Sequence, residues 1–223
     1  MASDSQFRLP TSTQRIAIVG RTGSGKTIAG LWHLSNANFD VMPWVIIDYK
    51  TDEHIGKIER AQYIDSSYTP KNPGIYVIQP EPDDENMREF LTRIWQREGT
   101  GVYLDEGYMI GENKKVEQRF KTLLTQGRSK HIPMIVLSQR PVWISRFVWS
   151  ESDFYQVFDI AMEDDIDTIQ RMLPKGSFRR MPDFHSVYYD VSKRRITYLS
   201  PVPGEDEILD RINSRLKPIR RKL

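Results

Sequence analysis

The 223 residues include no cysteine, which excludes a disulfide framework, thiolate metal centres such as zinc fingers, and a cysteine nucleophile. That fits a reducing compartment. Net charge is almost absent too: 32 Lys and Arg oppose 30 Asp and Glu, so the total of +2 demands no polyanionic partner and leaves any such affinity to the distribution of charge. Long apolar runs are missing. The longest, such as WVII at 44–47, is far too short to span a bilayer, and the opening MASDSQFRLPTSTQ has no apolar core for a signal peptide. The expectation is a soluble, intracellular protein. Thirteen glycines and 13 prolines are too few for a collagen-like or low-complexity chain, while 39% hydrophobic and 11% aromatic residues suffice for the core of one domain. With no internal repeat and no linker long enough to divide domains, 1–223 is expected to form a single unit, with its core at about 15–173 and a hairpin, helix and basic tail at 174–223.

What is present is an alternation of short buried runs and amphipathic stretches. RIAIV at Arg15–Val19 ends in Gly20, and Lys26 to Leu34 then carries helix-compatible residues. VMPWVIID, GIYVIQ, GVYLDE, PMIVLSQ and FYQVFDIAM read as further strands, and their lack of polar alternation suits parallel strands covered by helices on both faces. Met87, Phe90, Leu91, Ile94 and Trp95 mark one face of a helix between Glu85 and Glu98, and Val116, Phe120, Leu123 and Leu124 mark another. EDDIDTIQRML reads as a short helix with an acidic first turn, which explains Asp164, Asp165 and Asp167 more cheaply than a metal site. HSVYYDV and RITYL form a late β-hairpin, followed by a helix from Gly204 to Leu216. The fold expected is α/β: a mainly parallel sheet flanked by helices, with a C-terminal hairpin and helix.

Between the first strand and the first helix stands Gly20-Arg21-Thr22-Gly23-Ser24-Gly25-Lys26-Thr27, matching the phosphate-binding (Walker A) pattern in the context its mechanism needs. Glycines let backbone N–H groups turn toward phosphate oxygens, Lys26 reaches the outer phosphates of ATP, and Thr27 ligates magnesium. An unligated glycine-rich turn is the bland alternative. Asp105 and Glu106 end a buried strand, as a Walker B pair would, so that Asp105 supports the metal and Glu106 polarises an attacking water. They could also merely cap a strand. Gln139, after the next strand, is placed to touch the γ-phosphate or the water, unless it is a solvent-facing amide.

GRTGSGKT, IIDYK, VYLDE and GRSKHIPMIVLSQRP follow one another over roughly Arg15 to Leu173, and in this the chain resembles the RecA-like P-loop ATPases of the FtsK and HerA superfamily. Its small build is most similar to the genome-packaging ATPases of tectivirus-type viruses, icosahedral with an internal membrane. The resemblance implies ATP-driven translocation of double-stranded DNA, a homo-oligomeric ring, capsid vertex proteins as partners, and a place in the host cytoplasm or the virion. It also implies that Arg128 reaches a neighbouring subunit's site, with Arg140 and Arg146 in reserve; a surface arginine at a helix end is the alternative. Filamentous-phage assembly ATPases and cellular DNA pumps share these motifs. A nucleotide or small-molecule kinase, or an ATP-binding scaffold, would share the loop alone.

Basic residues cluster late. Arg211, Arg215, Lys217, Arg220, Arg221 and Lys222 occupy the last thirteen positions without an acidic residue, and Arg179, Arg180 and Lys193 to Arg195 flank or turn the hairpin. Such groups could hold DNA phosphates without reading bases, or be ordinary solvated surface. His33, His54, His131 and His185 have no ligand spacing. Trp143, Phe147 and Trp149 suit a partner patch or core packing equally.

Overall fold

In the computed structural model, which describes residues 7–81 and 83–217, nine strands form one sheet. They are β1 (Arg15–Val19), β2 (Pro43–Asp48), β3 (Gln62–Tyr63), β4 (Gly74–Ile78), β5 (Gly101–Asp105), β6 (Met134–Ser138), β7 (Phe154–Val157), β8 (Ser186–Asp190) and β9 (Arg195–Leu199). Their order is β3-β4-β2-β5-β6-β1-β7-β8-β9. Strands β1 to β7 run parallel, and β8 and β9 are antiparallel additions beside β7.

The helices are α1 (Lys26–Ser35), α2 (Glu53–Gly56), α3 (Asn86–Arg97), α4 (Lys114–Gln126), α5 (Arg146–Glu151), α6 (Glu163–Met172) and α7 (Glu205–Arg215). Alternating side chains on each strand feed two cores. Ala17 and Val19 join Met87, Phe90 and Leu91 of α3 and Phe120 and Leu123 of α4 on one face. Ile16 and Ile18 join Leu31 and Leu34 of α1 and Ile208, Leu209 and Ile212 of α7 on the other. Burial on both faces is why the central strands read as continuous apolar runs rather than alternating ones. The α/β expectation therefore holds, hairpin and last helix included.

Two departures from the sequence reading have local causes. Strand β7 takes only four residues of FYQVFDIAM, because the chain leaves the ladder once the Phe158 N–H has donated to the Val19 carbonyl, and the next carbonyl, that of Asp159, accepts from the Arg21 N–H. Helices α2 and α5 are too short to show periodicity and are instead started by caps, Asp52 accepting from the His54 and Ile55 N–H groups and Ser145 from Phe147. Helix α7 is clamped to α1 by Arg215, whose guanidinium donates to the carbonyls of Ser35 and Ala37 at 2.7 Å each.

What positions the site is β6, inserted between β1 and β5. Val19 is in register with Ser138, Leu104 with Val136, and Asp48 with Asp105, so the carboxyl ends of β1, β6, β5 and β2 lie side by side. Ligands in open parallel sheets bind at that edge.

Candidate functional site

The loop after β1 folds over that edge. Gly23 and Gly25 take left-handed φ of 75° and 94°, conformations that side chains with a Cβ rarely adopt, and α1 opens at Gly25 with no side chain capping it. Its first-turn N–H groups are left for an anion. Gly20 is overlaid by the Ser24 hydroxyl, a buried oxygen with no protein partner. The result is a cleft of about 400 Å³ lined by Thr22, Gly23, Gly25, Lys26 and Thr27 on one side and by Lys50, Asp105, Glu106 and Gln139 on the other.

Lys26 is buried, with its Nζ 3.7 Å from Glu106 Oε1. Glu106, just past the end of β5, has a positive φ of 56°, and its carboxylate is held on both oxygens: Lys50 Nζ donates to Oε1 at 2.8 Å and the Gln139 N–H to Oε2 at 3.3 Å. Non-glycine residues in this conformation gather where a structure over-determines them, and functional sites are common among such places. Asp105 is also buried, and its Oδ1 has no hydrogen-bond partner. Burial, and then the adjacent Glu106 carboxylate, push its carboxyl up to about 7, with Lys26 opposing. A buried carboxylate short of a counter-charge, facing the same cleft as the Thr27 hydroxyl, is the donor set a hard divalent cation would complete. The residues present fit magnesium.

The Gln139 side chain meets the loop directly, accepting from the Thr22 hydroxyl at 2.9 Å while its own N–H holds Glu106. Two of the candidate residues lie elsewhere. The Arg21 guanidinium turns away from the cleft to Asp159, at 2.9 Å, and to Asp183. Arg128 sits at the opposite edge of the sheet, before β6, where it pairs with Asp153 and is 60% exposed on its side chain. A five-residue strand, about 16 Å long, separates it from its own cleft. Arg140 pairs with buried Asp165 and stacks on Trp143, and Arg146 lies over the Phe147 ring. Trp149 is buried, whereas Trp143 is exposed against Tyr108. Of the late basic groups, Arg215 is the clamp on α1 and Arg179 lies over Tyr198, while Arg220, Arg221 and Lys222 fall outside the described residues.

The sequence reading missed Lys50. Its signal was a charged residue just past a fully buried strand, in the quoted run IIDYK. Asp48, in the same run, accepts from the Asp52 N–H and from Gln79 Nε2 at 3.0 Å and so shapes the turn that presents Lys50.

No family model matches the chain. It is 42% identical over 219 residues, 93% of its length and 95% of the relative's, to the DNA packaging ATPase P9 of Enterobacteria phage PRD1. Among solved structures it is similar to the genome packaging NTPase B204 of Sulfolobus turreted icosahedral virus 2 in complex with AMPPCP, with TM-score 0.70 and 15% identity over 87% of this chain and 100% of that one. It is also similar to the pCW3 conjugation coupling protein TcpA with bound ATPγS, with TM-score 0.58 and 13% identity over 89% of this chain and 64% of that one. At these identities the two structures speak to the fold.

Proposed function

The chain belongs to the family of the PRD1 packaging ATPase, and from that premise we propose that it is a P-loop ATPase of the FtsK and HerA superfamily that hydrolyses ATP to drive double-stranded DNA into a viral capsid. The observation that carries this reading is the convergence of Lys26 and a doubly held Glu106 on one glycine-lined cleft.

In the proposed reaction the N–H groups of 22–27 and Lys26 hold the phosphates. Thr27 and Asp105 would hold magnesium, which when bound neutralises charge on the β- and γ-phosphate oxygens. Glu106 takes a proton from the water that attacks the γ-phosphorus, and Gln139 links that carboxylate to the loop through Thr22. Arg128 is out of reach of its own cleft, which supports a role in a neighbour's site and hence a head-to-tail ring of copies of the 1–223 unit. DNA phosphates, met by basic side chains around such a ring, and capsid vertex proteins complete the proposed partners, in the host cytoplasm or the virion.

ATP hydrolysis by the purified chain, measured with and without duplex DNA, tests the proposal. Turnover should rise with DNA and vanish in Lys26→Ala. Turnover indifferent to DNA, with the phosphoryl group passing to a small acceptor, would overturn it.

A further inference from the structure

Beside the phosphate cleft, sharing Gly25, Ile28 and Phe184 with it, lies a second hollow of about 270 Å³. Phe158, Pro201, Val202 and Pro203 form most of its remaining wall. Prolines offer no N–H, and phenylalanine rings offer only π-faces and apolar edges. The one charged side chain at its rim is Glu205, whose carboxylate is already engaged by His54 Nδ1 at 2.7 Å and by Lys57 Nζ at 2.9 Å. The far side of the phosphate cleft is, by contrast, lined with Lys50, Asp52, Asp105 and Glu106.

Phe184 stands between the two spaces and is unusual in three ways. It is 54% exposed, although nothing polar recommends its ring to water. Its φ is +62°, a conformation that bulky residues avoid. Its ring also presses on the phosphate loop: a Cβ placed on Gly25 would lie 3.0 Å from Phe184 Cδ1. The residue before it, Asp183, meets Arg21 of the loop in an exposed ion pair at 3.4 Å, so the segment carrying the ring lies against the cradle. An exposed aromatic held in a costly conformation at the lip of an anion site is a surface of the kind on which a base can stack.

Resting on the phosphate-site reading above, we infer that this hollow takes the nucleobase of the bound triphosphate, stacked on Phe184, so that purine nucleotides are chosen by stacking area and not by hydrogen bonds to the base edge. A triphosphate seated on the α1 N-terminus must send its nucleoside to one side of the loop. The charged side offers a base Lys26, Lys50, Asp52, Asp105 and Glu106 with His54 as its one ring, and the Phe184 side offers an exposed phenylalanine ring, backed by Phe158, and a proline rim. With no side-chain donor among its lining residues, the site separates adenine from guanine poorly, as apolar pockets do for substituents they cannot pair with. A pyrimidine, with one ring where a purine has two fused, stacks less well.

The test compares wild type, Phe184→Ala and Phe184→Trp, with circular dichroism melts as a check on folding. KM is measured for ATP, GTP and CTP, and so is inhibition by inorganic tripolyphosphate, which has the phosphates but no base. Phe184→Ala should raise KM for ATP about tenfold or more and leave the tripolyphosphate inhibition constant where it was, and Phe184→Trp should restore ATP. In wild type, KM for GTP should fall within about tenfold of that for ATP, with CTP weaker than both. If Phe184→Ala weakens ATP and tripolyphosphate alike, the ring only shapes the loop; if it weakens neither, the base sits elsewhere; either result overturns the inference. A GTP KM about a hundredfold above that for ATP overturns the stacking mode. A wild-type chain that neither binds nor hydrolyses any nucleoside triphosphate removes the phosphate-site reading itself, and the base site with it.

Discussion

Glu106 shows how much one side chain depends on groups distant in sequence. Its two oxygens are held by Lys50, 56 residues upstream, and by the Gln139 N–H, 33 residues downstream. Replacing Glu106 by Gln keeps the shape and removes the base, so kcat should fall by about a hundredfold or more while ATP binding, measured by titration, survives. Lys50→Met removes only the positioning contact, and a loss nearer tenfold is expected in single-turnover hydrolysis, with no further loss when it is combined with Glu106→Gln. Undiminished turnover in Glu106→Gln would take that residue out of the proposed chemistry. Asp105 and Glu106 stood out because two consecutive acids end a buried apolar run in a chain that also carries a phosphate loop; without the loop, a strand cap would explain them as well. Lys50 did not, because a lysine after a strand is ordinary until the neighbouring strand brings a carboxylate to it.

Among the elements, α1 carries both chemistry and stability. Its first turn faces the cleft, and farther along His33 faces β7, where its Nε2 lies 2.7 Å from Gln156 Oε1 and Gln156 Nε2 donates onward to the Ser186 hydroxyl of β8. Full burial pushes the His33 imidazole down to about 4, against a smaller opposing effect of the Gln156 hydrogen bond. The unfolded chain therefore binds a proton near pH 6.5 that the folded chain refuses until about 4. Stability should fall as pH drops between those values, by at most about 3 kcal/mol, and should be whole above pH 6.5. Denaturant melts of wild type and His33→Gln at pH 7.5 and pH 4.5 measure this, the expected result being a shallower pH dependence in the variant. An equal slope in both would place the acid sensitivity elsewhere. The sequence placed His33 on a helix, but only packing against β7 gave it a polar partner in an otherwise apolar layer.

For the whole molecule, the decisive geometry is that the phosphate loop and Arg128 lie at opposite edges of the sheet. The proposed trans role of Arg128, a group out of reach of its own cleft, predicts a particular response to mixing. When Arg128→Ala subunits are blended into wild type, DNA-stimulated hydrolysis should fall more steeply than the wild-type fraction, because each altered subunit disables its neighbour. Proportional dilution would remove Arg128 from the neighbour's site. No helix among the described residues is long and apolar enough to cross a membrane.

From the residues alone came the alternation of buried runs with amphipathic helices, the phosphate loop at its strand–helix junction, and the acidic pair at a strand end. Each is written in local spacing, the period of apolar residues or the order of glycines, and local spacing survives in a linear string. Folding alone decided that β6 lies between β1 and β5, that Lys50 and Gln139 close on Glu106, that Arg21 turns outward and Arg128 faces away, and that Phe184 leans over Gly25. These depend on strand order and on contacts between residues many positions apart, which no window of sequence contains.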